Sequence, residues 1–331
     1  MICEDKEPVA LVLGGAGFIG KALCKALAVN YKVICVDNLV YGQYAPQGIS
    51  FVHVDLSKSE EVHQLIHAYK DANIQVIYNL AATVGVHNVY RDPQECNNNN
   101  LHIITNSLDI MRAWPLARFI YTSTSEVYGS SENCVETSNL CLPDPTTKRG
   151  TYAATKLAGE YCVACNSNNY IICRPFNITG YGQPSYHKMV IPSFIDYAMR
   201  GQPIPIYGDG LQTRSFCSLP QCVYALVEFA KLEATNLVVN IGSPNKSCQV
   251  SIAELAHAVV DYAKAFNRYP QIVMTSHPYG DNASSLEIHQ RIVNTDYLCE
   301  LLPDFESKFK TFDLNYILKD VHDYWQSCNE S

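Results

Sequence analysis

Residues 9–23 read VALVLGGAGFIGKAL. The first five, VALVL (9–13), form an apolar run with the length of a buried strand, and KALCKALAV (21–29) has helical spacing. Between them Gly14, Gly17 and Gly20 stand at G-x-x-G-x-x-G. Glycine lets the backbone turn tightly and approach a pyrophosphate, which then faces the free N–H groups of the helix start. The glycines alone would suit any tight turn. The flanks decide the reading, because strand, glycine turn and helix in this order open a dinucleotide-binding unit. KVICV (32–36) supplies the next strand, and Asp37 follows it, 37 − 20 = 17 residues after Gly20. A carboxylate there bonds the adenosine ribose hydroxyls and repels a 2′-phosphate, so the expected cofactor is NAD rather than NADP.

The alternation continues outward. SFVHV (50–54), QVIYNLA (75–81), RFIY (118–121) and YIICRP (170–175) are strand-like. SEEVHQLIHAY (59–69), residues 100–113 and TYAATKLAGEYCVAC (151–165) have helical spacing. This pattern predicts an α/β fold, a Rossmann-type doubly wound parallel sheet. After about residue 175 Pro and Gly become frequent, as in GYGQPS, GQPIPIYGDG and NIGSPNK. Helical stretches remain at 189–200, 219–232, 251–266 and 313–326. The expected organisation is an NAD-binding Rossmann domain over 1–175. Residues 176–331 form mainly a smaller mixed α/β C-terminal substrate lobe, with some segments returning to the sheet. The ligand site falls in the cleft between them.

The chain has 331 residues, 47% apolar and 17% charged, so burial can drive folding. Its net charge of −8 argues against a broad nucleic-acid surface, which needs clustered Lys and Arg. An anionic small ligand needs only a few local arginines. MICEDKEP at the N-terminus is acidic and lacks a signal peptide's apolar core, and no run approaches the roughly 18 apolar residues of a membrane span. The expectation is a soluble, cytoplasmic protein. Fourteen cysteines are scattered through apolar runs and read as buried free thiols. Cys162 and Cys165 form one C-x-x-C without a partner pair, inside a helical segment, which reads as core packing rather than a metal or redox site.

Tyr152 and Lys156 make Y-x-x-x-K on one helix face. TSTSEVYG (122–129) follows the apolar run FIY and puts Thr124, Ser125 and Glu126 at a strand end, where open α/β sheets bind ligands. With these stand GGAGFIG (14–20), DNL (37–39), DL (55–56), NLAAT (79–83), RPFNITGYG (174–182), YGDGLQTRSF (207–216) and NIGS (240–243). In this set and order the chain resembles the extended short-chain dehydrogenase/reductase family, the nucleotide-sugar epimerases and dehydratases. The resemblance implies NAD contacts from Gly14, Gly17, Phe18, Ile19, Gly20, Asp37, Asn38, Asp55, Leu56, Ala81 and Ala82, together with Tyr152 and Lys156. Asp55 also fits a local cap with Ser57. In the implied chemistry Tyr152 takes the proton from a sugar hydroxyl at carbon 4 and Thr124 shares it. Lys156 bonds the nicotinamide ribose and lowers the Tyr152 pKa. Substrate contacts are implied for Thr83, Ser125, Asn177, Arg214 and Arg291, the last two gripping the diphosphate. Each arginine also fits a surface salt bridge. Asn100 is read as shaping the floor of the site. A homodimer is implied, packed through the Tyr/Lys helix and the helix near 100–113; Ala153, Ala154, Ala158 and Val163 supply a compact apolar face, which core packing explains as well.

Glu126 narrows the reaction. Once carbon 4 is a ketone, the proton on carbon 5 is acidic, and loss of the carbon-6 hydroxyl, or of a carbon-6 carboxylate as carbon dioxide, becomes accessible. A 4-epimerase needs neither, and such enzymes usually carry a small or apolar residue at this place. The T-S-E version resembles GDP-mannose 4,6-dehydratases, some UDP-N-acetylglucosamine 4,6-dehydratases and UDP-glucuronate decarboxylases. Glu126 therefore reads as an acid/base at carbons 5 and 6, or as a carboxylate that only orders its loop. The chain departs from the family at CSLPQC (217–222), where a V-x-D-D pattern is common, and at Ser125, where many dTDP-glucose dehydratases carry Asp. Arg149 fits a sugar carboxylate or a helix-start charge, and His187 and Lys188 fit the nucleotide or an exposed loop. The competing readings are a 4-epimerase, an NAD-binding sensor without turnover, and a carbonyl reductase that consumes external cofactor.

Overall fold

The computed structural model describes residues 7–40, 44–131, 134–141, 148, 150–185, 188–276 and 288–329. Arg149 and His187 lie outside the described residues. The first half contains β1 (Val9–Leu13), α1 (Phe18–Leu27), β2 (Lys32–Asp37), β3 (Ser50–His53), α2 (Ser59–Tyr69), β4 (Ile74–Asn79), α3 (Val86–Arg91), α4 (Pro93–Ala113), β5 (Arg118–Thr122), α5 (Gly150–Asn166) and β6 (Tyr170–Pro175). The second half contains β7 (Ile178–Thr179), α6 (Val190–Met199), β8 (Ile204–Tyr207), β9 (Thr213–Ser215), β10 (Cys217–Ser218), α7 (Leu219–Phe229), β11 (Leu237–Ile241), β12 (Gln249–Ser251), α8 (Ile252–Lys264), β13 (Ile272–Thr275) and β14 (Gln290–Arg291). Three helices close the chain, Asp296–Leu301, Phe305–Lys308 and Leu314–Asn329.

Seven strands form one sheet in the order β3-β2-β1-β4-β5-β6-β11. Every pairing in it is parallel. β1 is buried at all five positions, as expected where helices cover both faces of a parallel sheet. Alternation along the strand sorts its side chains. Leu11 and Leu13 join Ile77 and Phe119 against Val62, Leu65, Ile104 and Ile110 of α2 and α4. Ala10 and Val12 join Tyr78 and Ile120 against Leu23 and Leu27 of α1 and Leu226 and Phe229 of α7. Each fully buried Leu or Phe contributes about 1.5–3 kcal/mol of transfer free energy, so the two faces dominate the folding of this layer. The result is the doubly wound Rossmann arrangement, with the order reversing between β1 and β4.

The seventh strand comes from the second half of the chain: β11 pairs with β6, and α7 packs on α1. A separate cluster gathers helices of the second half of the chain. Ile191 and Ile195 of α6, Leu255 and Val259 of α8, and Ile317 and Val321 of the last long helix form it. β9 lies between β12, antiparallel, and β14, parallel, in a register that sets Arg291 beside Arg214.

One boundary differs from the sequence pattern. α4 begins at Pro93 rather than near residue 100, because Asp92 Oδ1 accepts the Glu95 N–H at 2.9 Å and Pro93 fits the first turn. That start carries the poor helix formers Asn97–Asn100 into the helix. The C-x-x-C pair departs from its expectation as well. Cys162 is half-buried and Cys165 is exposed on the outer face of α5, so Cys165 is no core residue. Among the described residues no group of three or more His, Cys, Asp or Glu could hold a metal ion, and no helix is long and apolar enough to cross a membrane.

Candidate active site

The carboxyl ends of β1, β4, β5 and β6 meet at the sheet's switch point. Gly14 leaves β1 with φ +79°, and its N–H donates to Val36 O at 2.8 Å. A Cβ on Gly14 would stand 2.7 Å from Ala81 N, and one on Gly20 would stand 2.3 Å from Gly14 O. Gly17 is different: a Cβ there would meet only Gly14 O, at 3.3 Å, and otherwise faces open space. Gly17 also starts α1 without a side-chain cap, leaving its first N–H groups for a ligand. Asp37 ties this loop to the end of β2, Oδ2 accepting from Ala16 N at 3.0 Å and Oδ1 from Leu39 N in its own turn at 2.8 Å. A glycine cradle, an uncapped helix start and a carboxylate at the second strand end fit a dinucleotide. Phe18 and Ile19 open α1 beside the cradle, and Asn38 follows Asp37, its side chain accepting from Val40 N at 3.2 Å. Asp55 Oδ1 accepts from Ser57 N at 3.0 Å and Ser57 Oγ at 2.7 Å, so its side chain closes a local turn, although the residue at the start of α2 is Lys58. Leu56 is buried, and its carbonyl accepts from Asn106 at 2.8 Å.

Thr124 ends β5's approach and caps a single turn of 3-10 helix, Ser125–Tyr128, its Oγ1 accepting from Glu126 N at 3.3 Å. Ser125 is buried within that turn. Tyr152 lies in the first turn of α5, where the Thr124 hydroxyl acts on its phenol. Burial first, and the Glu126 carboxylate second, push the Tyr152 phenol above its ordinary range, while the Thr124 hydrogen bond opposes them. Lys156 is 4% exposed. Its ammonium donates to Thr122 O at 2.6 Å and lies 5.0 Å from the Tyr121 ring centre. Burial brings its pKa down to about 7, with Glu160 opposing. Ala81, Ala82, Asn100, Thr155 and Lys156 line one small cavity. Asn100 clamps Thr83 through both backbone groups, accepting from Thr83 N at 2.7 Å and donating to Thr83 O at 3.2 Å. Asn99 holds the Thr83 hydroxyl at 2.7 Å.

The remaining candidates come from the lobe side. Arg291 is buried, and its Nη1 stands 3.5 Å from Glu126 Oε1. The structure thus couples it to the glutamate of the 122–129 turn. Arg214 is also buried, with Nη1 donating to Thr213 O at 2.9 Å and Ile288 O at 2.8 Å. Neither arginine is a surface salt bridge. Asn177 has φ +39°, and its amide donates to Ser215 O at 2.7 Å, tying the end of β6 to β9. Lys188 is exposed.

Sequence reasoning missed the polar groups directly behind this site. Glu160 Oε2 and Arg174 Nη2 are 2.7 Å apart, and both residues are buried. Arg174 Nη1 donates to the Tyr128 hydroxyl at 3.0 Å, which donates to Asn240 Oδ1 at 2.8 Å. The available signal was a charge inside each of two apolar faces, Arg174 in YIICRP and Glu160 one turn beyond Lys156, since such charges are seldom buried unless paired.

The sequence profile of the NAD dependent epimerase/dehydratase family matches residues 10–242. Among curated relatives, a trifunctional UDP-glucose 4,6-dehydratase/UDP-4-keto-6-deoxy-D-glucose 3,5-epimerase/UDP-4-keto-L-rhamnose-reductase of Arabidopsis thaliana is 28% identical over 79% of this chain and 40% of its own length. The chain therefore spans about two fifths of that relative's length. A UDP-N-acetyl-alpha-D-glucosaminuronate decarboxylase of Bacillus cytotoxicus is 29% identical over 75% of this chain and 78% of its own. Among solved structures, UDP-glucuronic acid 4-epimerase of Bacillus cereus, in complex with UDP-glucuronic acid and NAD, superposes with TM-score 0.77 at 25% identity, covering 97% of this chain and 99% of that one. A dehydratase, a decarboxylase and an epimerase are thus at comparable distance, so similarity alone fixes the class and leaves the reaction open. With the profile matching well over half of its length, the chain belongs to the NAD dependent epimerase/dehydratase family.

Proposed function

We propose that this protein oxidises carbon 4 of a nucleotide-diphosphate sugar and then removes water or carbon dioxide through chemistry at carbons 5 and 6. The observation that carries the reading is the position of Glu126, in the same turn as Thr124, within electrostatic reach of Tyr152 and paired with buried Arg291. The Gly14–Gly20 cradle and Asp37 would hold NAD, which would supply a reversible hydride acceptor at carbon 4. Tyr152 removes the carbon-4 hydroxyl proton, and Thr124 holds that hydroxyl and shares the proton. Lys156, when protonated, supplies the positive charge that offsets the upward push of burial and Glu126 on that phenol. Glu126 then takes the acidified proton at carbon 5, or assists loss of a carbon-6 carboxylate. Arg291 stands beside it, with Nη1 3.5 Å from Glu126 Oε1. Arg214 and Asn177, joined through β9, support the diphosphate side.

The test is a panel of UDP-glucuronate, UDP-N-acetylglucosamine, UDP-glucose and GDP-mannose, with dTDP-glucose added to examine the Ser125 departure, read by product mass. Loss of water or carbon dioxide names the reaction. A product of unchanged mass and new stereochemistry makes the protein a 4-epimerase and reduces Glu126 to a support of its turn. No turnover of any member favours a binding protein.

A further inference from the structure

Tyr152, Lys156 and Glu160 are spaced by four, so α5 presents them as one row. The row meets three successive residues at the end of β5. The Thr124 hydroxyl acts on the Tyr152 phenol, Lys156 donates to Thr122 O at 2.6 Å, and Ser123 Oγ donates to Glu160 Oε1. Gly159 permits this approach, because a Cβ there would stand 2.1 Å from the Tyr121 hydroxyl. On β6, Arg174 grips the Glu160 carboxylate with two bonds, Nη2 to Oε2 at 2.7 Å and Nε to Oε1 at 3.0 Å. Its other arm reaches Tyr128, at the far end of the turn that carries Thr124 and Glu126. The cluster is closed to solvent, with Ser123, Lys156, Glu160 and Arg174 each 6% exposed or less.

We propose that Glu160 is a positioning residue of the active site: anchored by Arg174, it fixes α5 in register with the end of β5 and keeps Lys156 charged. The proposal rests on the reading of Lys156 as a working residue of the site. An ammonium buried this deeply is costly without an opposite charge and is driven toward its neutral form. The charge that acts on it directly is Glu160 on its own helix, itself paired with Arg174 on β6; Tyr121 on β5 lies against it, and Tyr152, one turn earlier, is the group that feels Glu126 in the 3-10 turn and Cys96 on α4. Burial is the larger influence on Lys156, and Glu160 is the charge that opposes it. Substituting Glu160 alone also leaves the Arg174 guanidinium without its carboxylate, which adds repulsion. Both effects act in one direction.

The test is the titration of Lys156 itself in the full-length protein, followed by NMR of ¹³C-labelled lysine side chains and assigned with Lys156→Met. No substrate is added, so an inactive sugar panel leaves this proposal standing and an unshifted titration leaves the proposed reaction standing. In Glu160→Gln the midpoint falls by about one unit or more, a tenfold loss of proton affinity. In Arg174→Gln it rises, because the carboxylate then lacks its guanidinium. In Tyr128→Phe, which cuts the network without altering charge, it stays in place. A folded Glu160→Gln with an unchanged midpoint overturns the proposal. If Glu160→Gln does not fold, Arg174→Gln decides, and an unchanged or lowered midpoint there overturns it equally.

Discussion

Glu126 and Tyr152 pull against each other at the scale of single residues. The carboxylate raises the phenol's pKa, which opposes its use as a base at carbon 4, yet the same carboxylate is the candidate base at carbon 5. Glu126→Gln separates the roles. It removes the negative charge, so the Tyr152 pKa moves down and the carbon-4 step is kept. Formation of the final product falls by about 10²–10⁴-fold, the usual contribution of a general base. Acid-quenched reactions analysed by mass spectrometry should then show 4-keto sugar accumulating. Unchanged loss of water or carbon dioxide in this variant would mean that Glu126 only orders its turn. The identity of Glu126 was legible from TSTSEVYG. Its pairing with Arg291 was not, because 165 residues separate the two (291 − 126) and β14 brings them together only in the folded lobe.

At the scale of elements, the three glycines of the β1–α1 turn have different reasons to be glycine. Gly14 needs its positive φ and the space beside Ala81 N, whereas Gly17 has an ordinary φ of −73° and an open side. Gly14→Ala should therefore cost about 1–3 kcal/mol from the backbone conformation alone. Gly17→Ala should leave the unfolding free energy from urea titration within about 1 kcal/mol of the parent, since only Gly14 O must yield, while calorimetry shows NAD binding sharply weakened. Equal loss of stability in the two variants would contradict this division of labour. The order of elements was readable because each main-sheet strand in the first half is a run of apolar residues bounded by turns. Strands β7, β9, β10, β12 and β14 were not, being two or three residues long, too short for any period to register. The Glu160–Arg174 pair escaped for another reason. Its partners sit on a helix and a strand whose contact depends on Gly159, which looks like any other helix residue in the sequence.

At the scale of the whole molecule, α4 and α5 pack side by side on one face of the sheet, and their outer surfaces bear on assembly. Of the four residues that suited either a dimer face or core packing, Ala153 and Val163 point into the chain's own interior at 0% exposure. Each side of a helix can serve only one partner, and here the sheet takes theirs. The outward stripe of α5 is Ala154, Ala158, Tyr161 and Cys165, and α4 adds Leu101, Thr105 and Leu108, all exposed or half-buried. Tyr161 is 65% exposed, a large aromatic ring left in water on an otherwise small-residue stripe. Such rings are favoured at interfaces, and a two-fold axis between the helix pairs would bury both copies at once. The expected state is thus a dimer, with twice the mass of one chain in light scattering after gel filtration. Tyr161→Arg sets two like charges across that axis and should return the protein to a monomer, while surface exposure keeps the change in monomer stability within about 0.5 kcal/mol. Because the Gly14–Gly20 turn and Asp37 lie on β1, α1 and β2 rather than on α4 or α5, the monomeric variant should still bind NAD. A Tyr161→Arg protein that remains dimeric would move the interface off these two helices.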